Sequence, residues 1–174
     1  MRRTNWCVIT GAPCSGKTSV VNELEQRGYK VVHEAARAYI DAQLAAGKRL
    51  EQIKADERAF ENHILNTKLA IESALPPNET IFFDRGMPDS IAYFKLAGLN
   101  PAKPIEKSSL FRYRRIFFFE RLEFLEDRVR SEDEQTAEKL DALILESYRM
   151  FDYEVVHVPI LSIKSRVEFI LKLL

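Results

Sequence analysis

The run Gly11-Ala12-Pro13-Cys14-Ser15-Gly16-Lys17-Thr18 fits the pattern G-x-x-x-x-G-K-[ST], and no other feature constrains the fold as strongly. A short apolar run, Cys7 to Thr10, precedes it and a helix-like segment through Val21 follows it. The motif therefore stands between a strand and a helix, where its mechanism needs it. Glycines admit backbone conformations that side chains forbid, so the amides of Gly11 to Ser19 can turn inward at the positive end of the helix. Anionic phosphates fit there. Lys17 would reach the β and γ phosphates, and the Thr18 hydroxyl would complete the shell of a magnesium ion. The loop reads phosphates and not the base, so ATP and GTP are not distinguished.

A chain of 174 residues is of the length of one domain, here expected to span 1–174. Lysine plus arginine and aspartate plus glutamate number 26 each, a balance that carries no electrostatic footprint for nucleic acid. The two cysteines, Cys7 and Cys14, fall in the first strand and in the phosphate loop, too divergent for a structural disulfide, which points to a reducing compartment. The apolar run after Arg2 and Arg3 is too short for a signal peptide or a membrane span. The expectation is a cytoplasmic protein without membrane insertion.

After the first helix, which Gly28 stops, a second strand is read over 29–33 and a helix from Glu34 to Ala46. From Leu50 to Leu75, Ile53, Phe60, Ile64, Ile71 and Leu75 recur at helical steps, implying one long helix with a buried face, packed within the domain or against a second copy as a homodimer. A third strand, central in the sheet, is read at 80–83, ending at Asp84; a helix spans Pro88 to Ala97, and Pro101 and Pro104 bracket a loop. Arg115 to Phe119 is a fourth strand. Ala137, Leu140, Ile144 and Tyr148 mark a helix, 153–158 a fifth strand, and Val167, Ile170, Leu171 and Leu174 a last helix. Alternating strands and helices imply an α/β fold, a five-stranded parallel sheet with helices on both faces, whose ligands bind beyond the carboxyl ends of the strands.

Those ends carry the candidate residues. Asp84 closes an apolar strand and can hold magnesium beside Thr18, or it can cap the helix that follows. Glu34 and Arg37 lie one helical turn apart. Either they form a local ion pair, or Glu34 takes a proton or hydrogen bond from a substrate hydroxyl while Arg37 holds substrate or phosphate. Arg85 can place its planar fork on a phosphate or substrate, or pair with Asp89. Beyond strand four, Arg121, Arg128 and Arg130 can neutralise charge on a transferred phosphoryl group, or simply form a solvated helix face. His33, His63 and His157 lack metal-ligand spacing. Arg112, Arg114 and Arg115 form a basic cluster that is solvated or meets an anionic lipid headgroup.

As an ordered set, the pieces Ile9 through Thr18, Glu34-Ala35-Ala36-Arg37, Asp84-Arg85-Gly86 with Asp89, Asp127 with Arg130, and Tyr148 to Pro159 resemble a family of small P-loop proteins. These are AAA-type predicted ATPases or kinases related to the ribosylnicotinamide kinase domain of the bacterial NAD regulator. The resemblance implies a nucleoside/nucleotide-kinase-like fold with a lid after strand four, at approximately 120–134. It also implies Asp84-Arg85 as the counterpart of the Asp-Arg pair of such kinases, and Asp127 to Arg130 as part of the lid.

Together these readings imply a magnesium-dependent transfer of the γ-phosphate of ATP to a hydroxyl of a small molecule, a nucleoside or related riboside. Lys17 and the loop amides hold the donor, Thr18 and Asp84 the metal. Glu34 serves the acceptor, and Arg37, Arg85, Arg128 and Arg130 organise charge. The alternative is a nucleotide-dependent switch that engages a lipid or protein partner and hydrolyses nucleoside triphosphate slowly.

Overall fold

The computed structural model describes residues 1–121 and 131–174. Its main sheet has the order β3-β4-β2-β6-β7 and is parallel throughout, with β2 (Cys7–Thr10), β3 (Lys30–Val32), β4 (Ile81–Asp84), β6 (Arg115–Phe119) and β7 (Val155–Val158). These are the five strands expected from the sequence. The centre is β2, however, and the Ile81–Asp84 strand lies beside it.

Strands β2, β4 and β6 are apolar on both faces because helices cover both. Val8, Phe83, Ile116 and Phe118 face one way, against Leu65, Met87, Ala92, Leu140, Ile144 and Tyr148. These come from α4 (Glu57–Ala74), α5 (Met87–Leu96) and α7 (Ser131–Arg149). Cys7, Ile9, Phe82, Phe117 and Phe119 face the other way, against Val20, Val21 and Leu24 of α1 (Lys17–Gln26) and Val167 and Ile170 of α8 (Ile163–Leu171). The helical stripes read at Leu140, Ile144 and Tyr148 and at Val167 and Ile170 are thus the buried ones.

Two further expectations change, and one element is added. The segment from Leu50 to Leu75 is two helices, α3 (Leu50–Ile53) and α4, because Asp56 accepts a hydrogen bond from the Ala59 amide at 2.9 Å and starts a helix of its own. The Pro101 to Pro104 loop is instead α6 (Ala102–Ser108); both prolines fall at its cap and first turn, where a missing N–H costs nothing. A second sheet pairs β1 (Arg2–Arg3) in parallel with β5 (Phe111–Arg112). It closes over Trp6, whose indole N–H donates to the Pro76 carbonyl at 3.0 Å.

The helix read from Glu34 to Ala46 is α2 (Ala35–Ala45), with Glu34 at its N-cap. Among the described residues no helix is long and apolar enough to cross a membrane. Asp127, Arg128 and Arg130, expected from the sequence to belong to a lid, lie outside the described residues.

Candidate active site

The phosphate loop leaves β2 at the middle of the sheet and delivers Gly16, with φ +83°, to the start of α1. Gly11, with φ +132°, lies so close to β6 that a Cβ there would stand 2.3 Å from the Phe119 carbonyl oxygen. Cys14 holds a left-handed φ of +64° despite its side chain. Lys17 is buried, its ammonium donating to the Ala12 carbonyl at 2.7 Å and the Ser15 hydroxyl at 3.0 Å. Burial and the positive charge of Arg85 push its pKa down to about 8.

Two side chains far along the chain brace this loop, and sequence reasoning missed both. Asp141 of α7 accepts from the Ala12 amide at 2.6 Å, and Arg166 of α8 donates to the Ser15 carbonyl at 2.9 Å with its guanidinium 5.4 Å from the Phe119 ring. Asp141 sits one residue past the buried Leu140, with nothing in the local pattern to mark it.

At the tip of β4, Asp84 is buried and accepts weakly from the Thr18 hydroxyl at 3.5 Å through Oδ2. Its Oδ1 has no partner. Burial, with the negative charge of Glu34, pushes its pKa up. It does not cap the next helix: Gly86 is the N-cap of α5, and the Asp89 carboxylate accepts the Gly86 amide at 2.9 Å. No group of three or more His, Cys, Asp or Glu forms a cation cage among the described residues. A pair made of one hydroxyl and one carboxylate with an unpaired oxygen is a donor set that suits magnesium, which keeps waters and takes phosphate oxygens for its remaining positions.

Arg85 ties the site together. Its φ is +71°, and its guanidinium donates to Glu34 Oε1 at 3.0 Å, to the Gly11 carbonyl at 3.0 Å and to Asp89 Oδ1 at 3.3 Å, 5.3 Å from the Tyr93 ring. The pairing with Asp89 read from the sequence is present, joined by the pairing with Glu34. Asp89 is fully buried and also accepts from the Thr10 hydroxyl at 2.5 Å and the Tyr148 hydroxyl at 2.5 Å. One carboxylate thereby joins β2, α5 and α7. From α4, Lys68 donates to the Gly86 carbonyl at 2.8 Å and to the Ser90 hydroxyl at 3.3 Å.

Glu34 is brought beside Asp84 and Arg85 and keeps partial solvent access, with 26% of its side chain exposed. Arg37 is not: it is exposed and, among the described residues, makes no ion pair, with Glu34 or otherwise. Arg121 pairs with Glu138 at 3.5 Å and Asp141 at 3.6 Å.

The basic cluster is largely committed elsewhere. Arg112 donates to the Phe151 and Asp152 carbonyls beyond the end of α7 and stacks 4.1 Å from the Tyr153 ring, and Arg115 donates to the Leu173 carbonyl at 3.2 Å. Two of its three guanidiniums thus bind main-chain carbonyls.

The family model for an AAA domain matches residues 6–166. No curated protein matches the sequence. Among solved structures, the deoxyadenosine kinase of M. mycoides with its products bound superposes with a TM-score of 0.63 at 17% identity, over 96% of each chain. The NadR protein in complex with NR gives 0.72 at 16% identity over 97% of this chain; the present chain spans 49% of NadR. Thymidylate kinase of Ehrlichia chaffeensis gives 0.67 at 12% identity over 99% of both chains. The shared fold is that of P-loop nucleoside and nucleotide kinases.

Proposed function

We propose that this chain, a member of the AAA domain family, is a magnesium-dependent kinase that moves the γ-phosphate of ATP or GTP to a hydroxyl of a small, nucleoside-like acceptor. The observation that carries the reading is the pair Glu34 and Arg85 at 3.0 Å, set beside Asp84 at the open end of the phosphate loop. A kinase that accepts on a phosphate needs cationic groups for the acceptor's charge. This end of the site is instead rich in carboxylate, with Glu34, Asp84 and Asp89 around an arginine they already neutralise. A neutral hydroxyl fits that field and a phosphate does not.

In the proposed step the acceptor oxygen forms a bond to the γ-phosphorus while the bond from that phosphorus to the β–γ bridging oxygen breaks, and the nucleoside diphosphate leaves. The acceptor proton passes to the carboxylate of Glu34, whose second oxygen remains available because Arg85 engages Oε1. Lys17 leaves its contacts with Ala12 and Ser15 for the β and γ phosphates, and inward amides of the loop hold their oxygens. Magnesium held through Thr18 and Asp84 would neutralise charge building on the leaving oxygens. Arg85 holds Glu34 in place and joins it to the Gly11 carbonyl, so donor and acceptor ends share one rigid element.

Replacing Glu34 by Gln tests the assignment. The expected result is unchanged affinity for a fluorescent ATP analogue, with phosphorylated acceptor, followed by mass spectrometry, reduced about 100-fold or more. Equal turnover by the parent and Glu34→Gln would remove Glu34 from the reaction.

A further inference from the structure

Just inside the sheet edge from Glu34 lies a pocket lined by Val32, His33, Ala35, Lys68, Glu72 and Asp84, among others. Glu72 is 2% exposed. Its Oε1 accepts from the Tyr113 hydroxyl at 2.6 Å, while its Oε2 has no partner. A buried carboxylate oxygen left without a hydrogen bond is costly and calls for an occupant that supplies one. Glu72 forms part of the wall of this pocket, which is open to solvent at its mouth.

We propose, building on the acceptor site described above, that this pocket is a specificity subsite in which Glu72 receives a hydrogen bond from one neutral donor group of the acceptor, an amide or aromatic NH2 or a hydroxyl. The size sets the limit. The cavity volume is about 10 Å³, close to the least that holds a single water. That is room for one functional group and not for a ring. The charges set the type. Glu72 and Asp84 on the walls repel an anion, while Lys68 and Arg85 on the same walls disfavour a cation. Lys68 already donates two of its three protons, to Gly86 and Ser90; of the two unpaired carboxylate oxygens on the walls, Asp84 Oδ1 belongs with Thr18 in the pair suited to magnesium, which leaves Glu72 Oε2 for the acceptor. The subsite thus rewards a neutral donor and rejects a carboxylate or a bare carbonyl at the same position.

The experiment uses matched ribosides that differ in that one group: cytidine against uridine, and the riboside of nicotinamide against that of nicotinate. Binding to the intact protein is measured by calorimetry at about pH 8, above the range in which burial keeps the Glu72 carboxyl protonated, and phosphoryl transfer separately by product detection. For at least one pair the donor-bearing member is expected to bind about 10-fold or more tightly, and Glu72→Gln is expected to bring the ratio within about 3-fold of unity. A merely structural Glu72 would weaken both members alike and leave the ratio where it was, which overturns the proposal. So does a parent protein that does not distinguish either pair, the result expected if the pocket holds only water. Selection without transfer keeps the subsite and removes the kinase reading; transfer without selection does the reverse.

Discussion

Arg85 donates to Glu34 at 3.0 Å from a backbone held at φ +71°, and the same guanidinium reaches the first glycine of the phosphate loop. A single buried side chain therefore fixes the Glu34 carboxylate relative to the phosphate loop. Arg85→Ala is expected to leave Asp89 buried with its main cation gone and to cost about 3–5 kcal/mol in urea unfolding. Arg85→Lys keeps the charge but loses the fork, so it should recover part of the stability and little of the turnover. Equal turnover in Arg85→Lys and the parent would contradict the role.

Lys17 carries a pKa pushed down to about 8, against 10.5 for a free lysine. At about pH 9 it is mostly neutral in the protein alone, and phosphates beside it favour the charged form. Nucleotide binding is thus expected to take up close to one proton at about pH 9 and almost none at about pH 6.5, read from binding heats in buffers of different ionisation enthalpy. The same shift acts on stability: the unfolded chain binds more protons between the two pKa values, so Lys17 makes the unliganded protein gain stability as pH rises through that window. In Lys17→Ala the proton uptake should vanish.

Burial pushes the Glu72 carboxyl up to about 7 from 4.5. The folded state then holds the proton more tightly than the unfolded one, so this group costs stability progressively as pH rises from about 4.5 to 7, on the order of 3 kcal/mol when complete. Glu72→Gln removes that titration. Its stability relative to the parent should improve as pH rises from about 5 to 8, measured by urea unfolding at each pH. A gap between the two that does not change with pH would show that Glu72 is ionised throughout.

A methyl group at Gly86 would stand 2.8 Å from the Tyr148 hydroxyl and 3.0 Å from Val8 Cγ2. Gly86→Ala is expected to cost about 1–3 kcal/mol by overpacking. Tyr148→Phe alone loses the bond to Asp89 but removes the atom in the way, so the double variant should be less destabilised than the sum of the two. Additive costs would place the strain elsewhere.

The alternation of apolar strands with amphipathic helices made the main sheet legible, and the eight-residue motif placed the phosphate loop at the end of β2. Glu34, Asp84 and Arg85 were legible because each lies at a strand end or within two residues of one. What was hidden shares one cause. Lys68 and Glu72 continue the buried face of α4 at four-residue steps from Ile64, yet a charged residue on a charged helix reads as solvated. Asp141 and Arg166 act on the phosphate loop from 129 and 151 residues away in sequence, so their role exists only once α7 and α8 are packed. Arg112 looked like a free surface cation because its carbonyl partners, near Phe151, are brought to it only by the fold.

The kinase reading stands or falls on nucleoside diphosphate release from ATP or GTP with magnesium, with and without a panel of nucleosides, in the parent, Glu34→Gln and Lys17→Ala. One acceptor is expected to raise release well above the water background, with a phosphorylated product accumulating in step, and both variants are expected to lose the increment. Nucleotide binding with no acceptor-stimulated release from any member of the panel would contradict that reading.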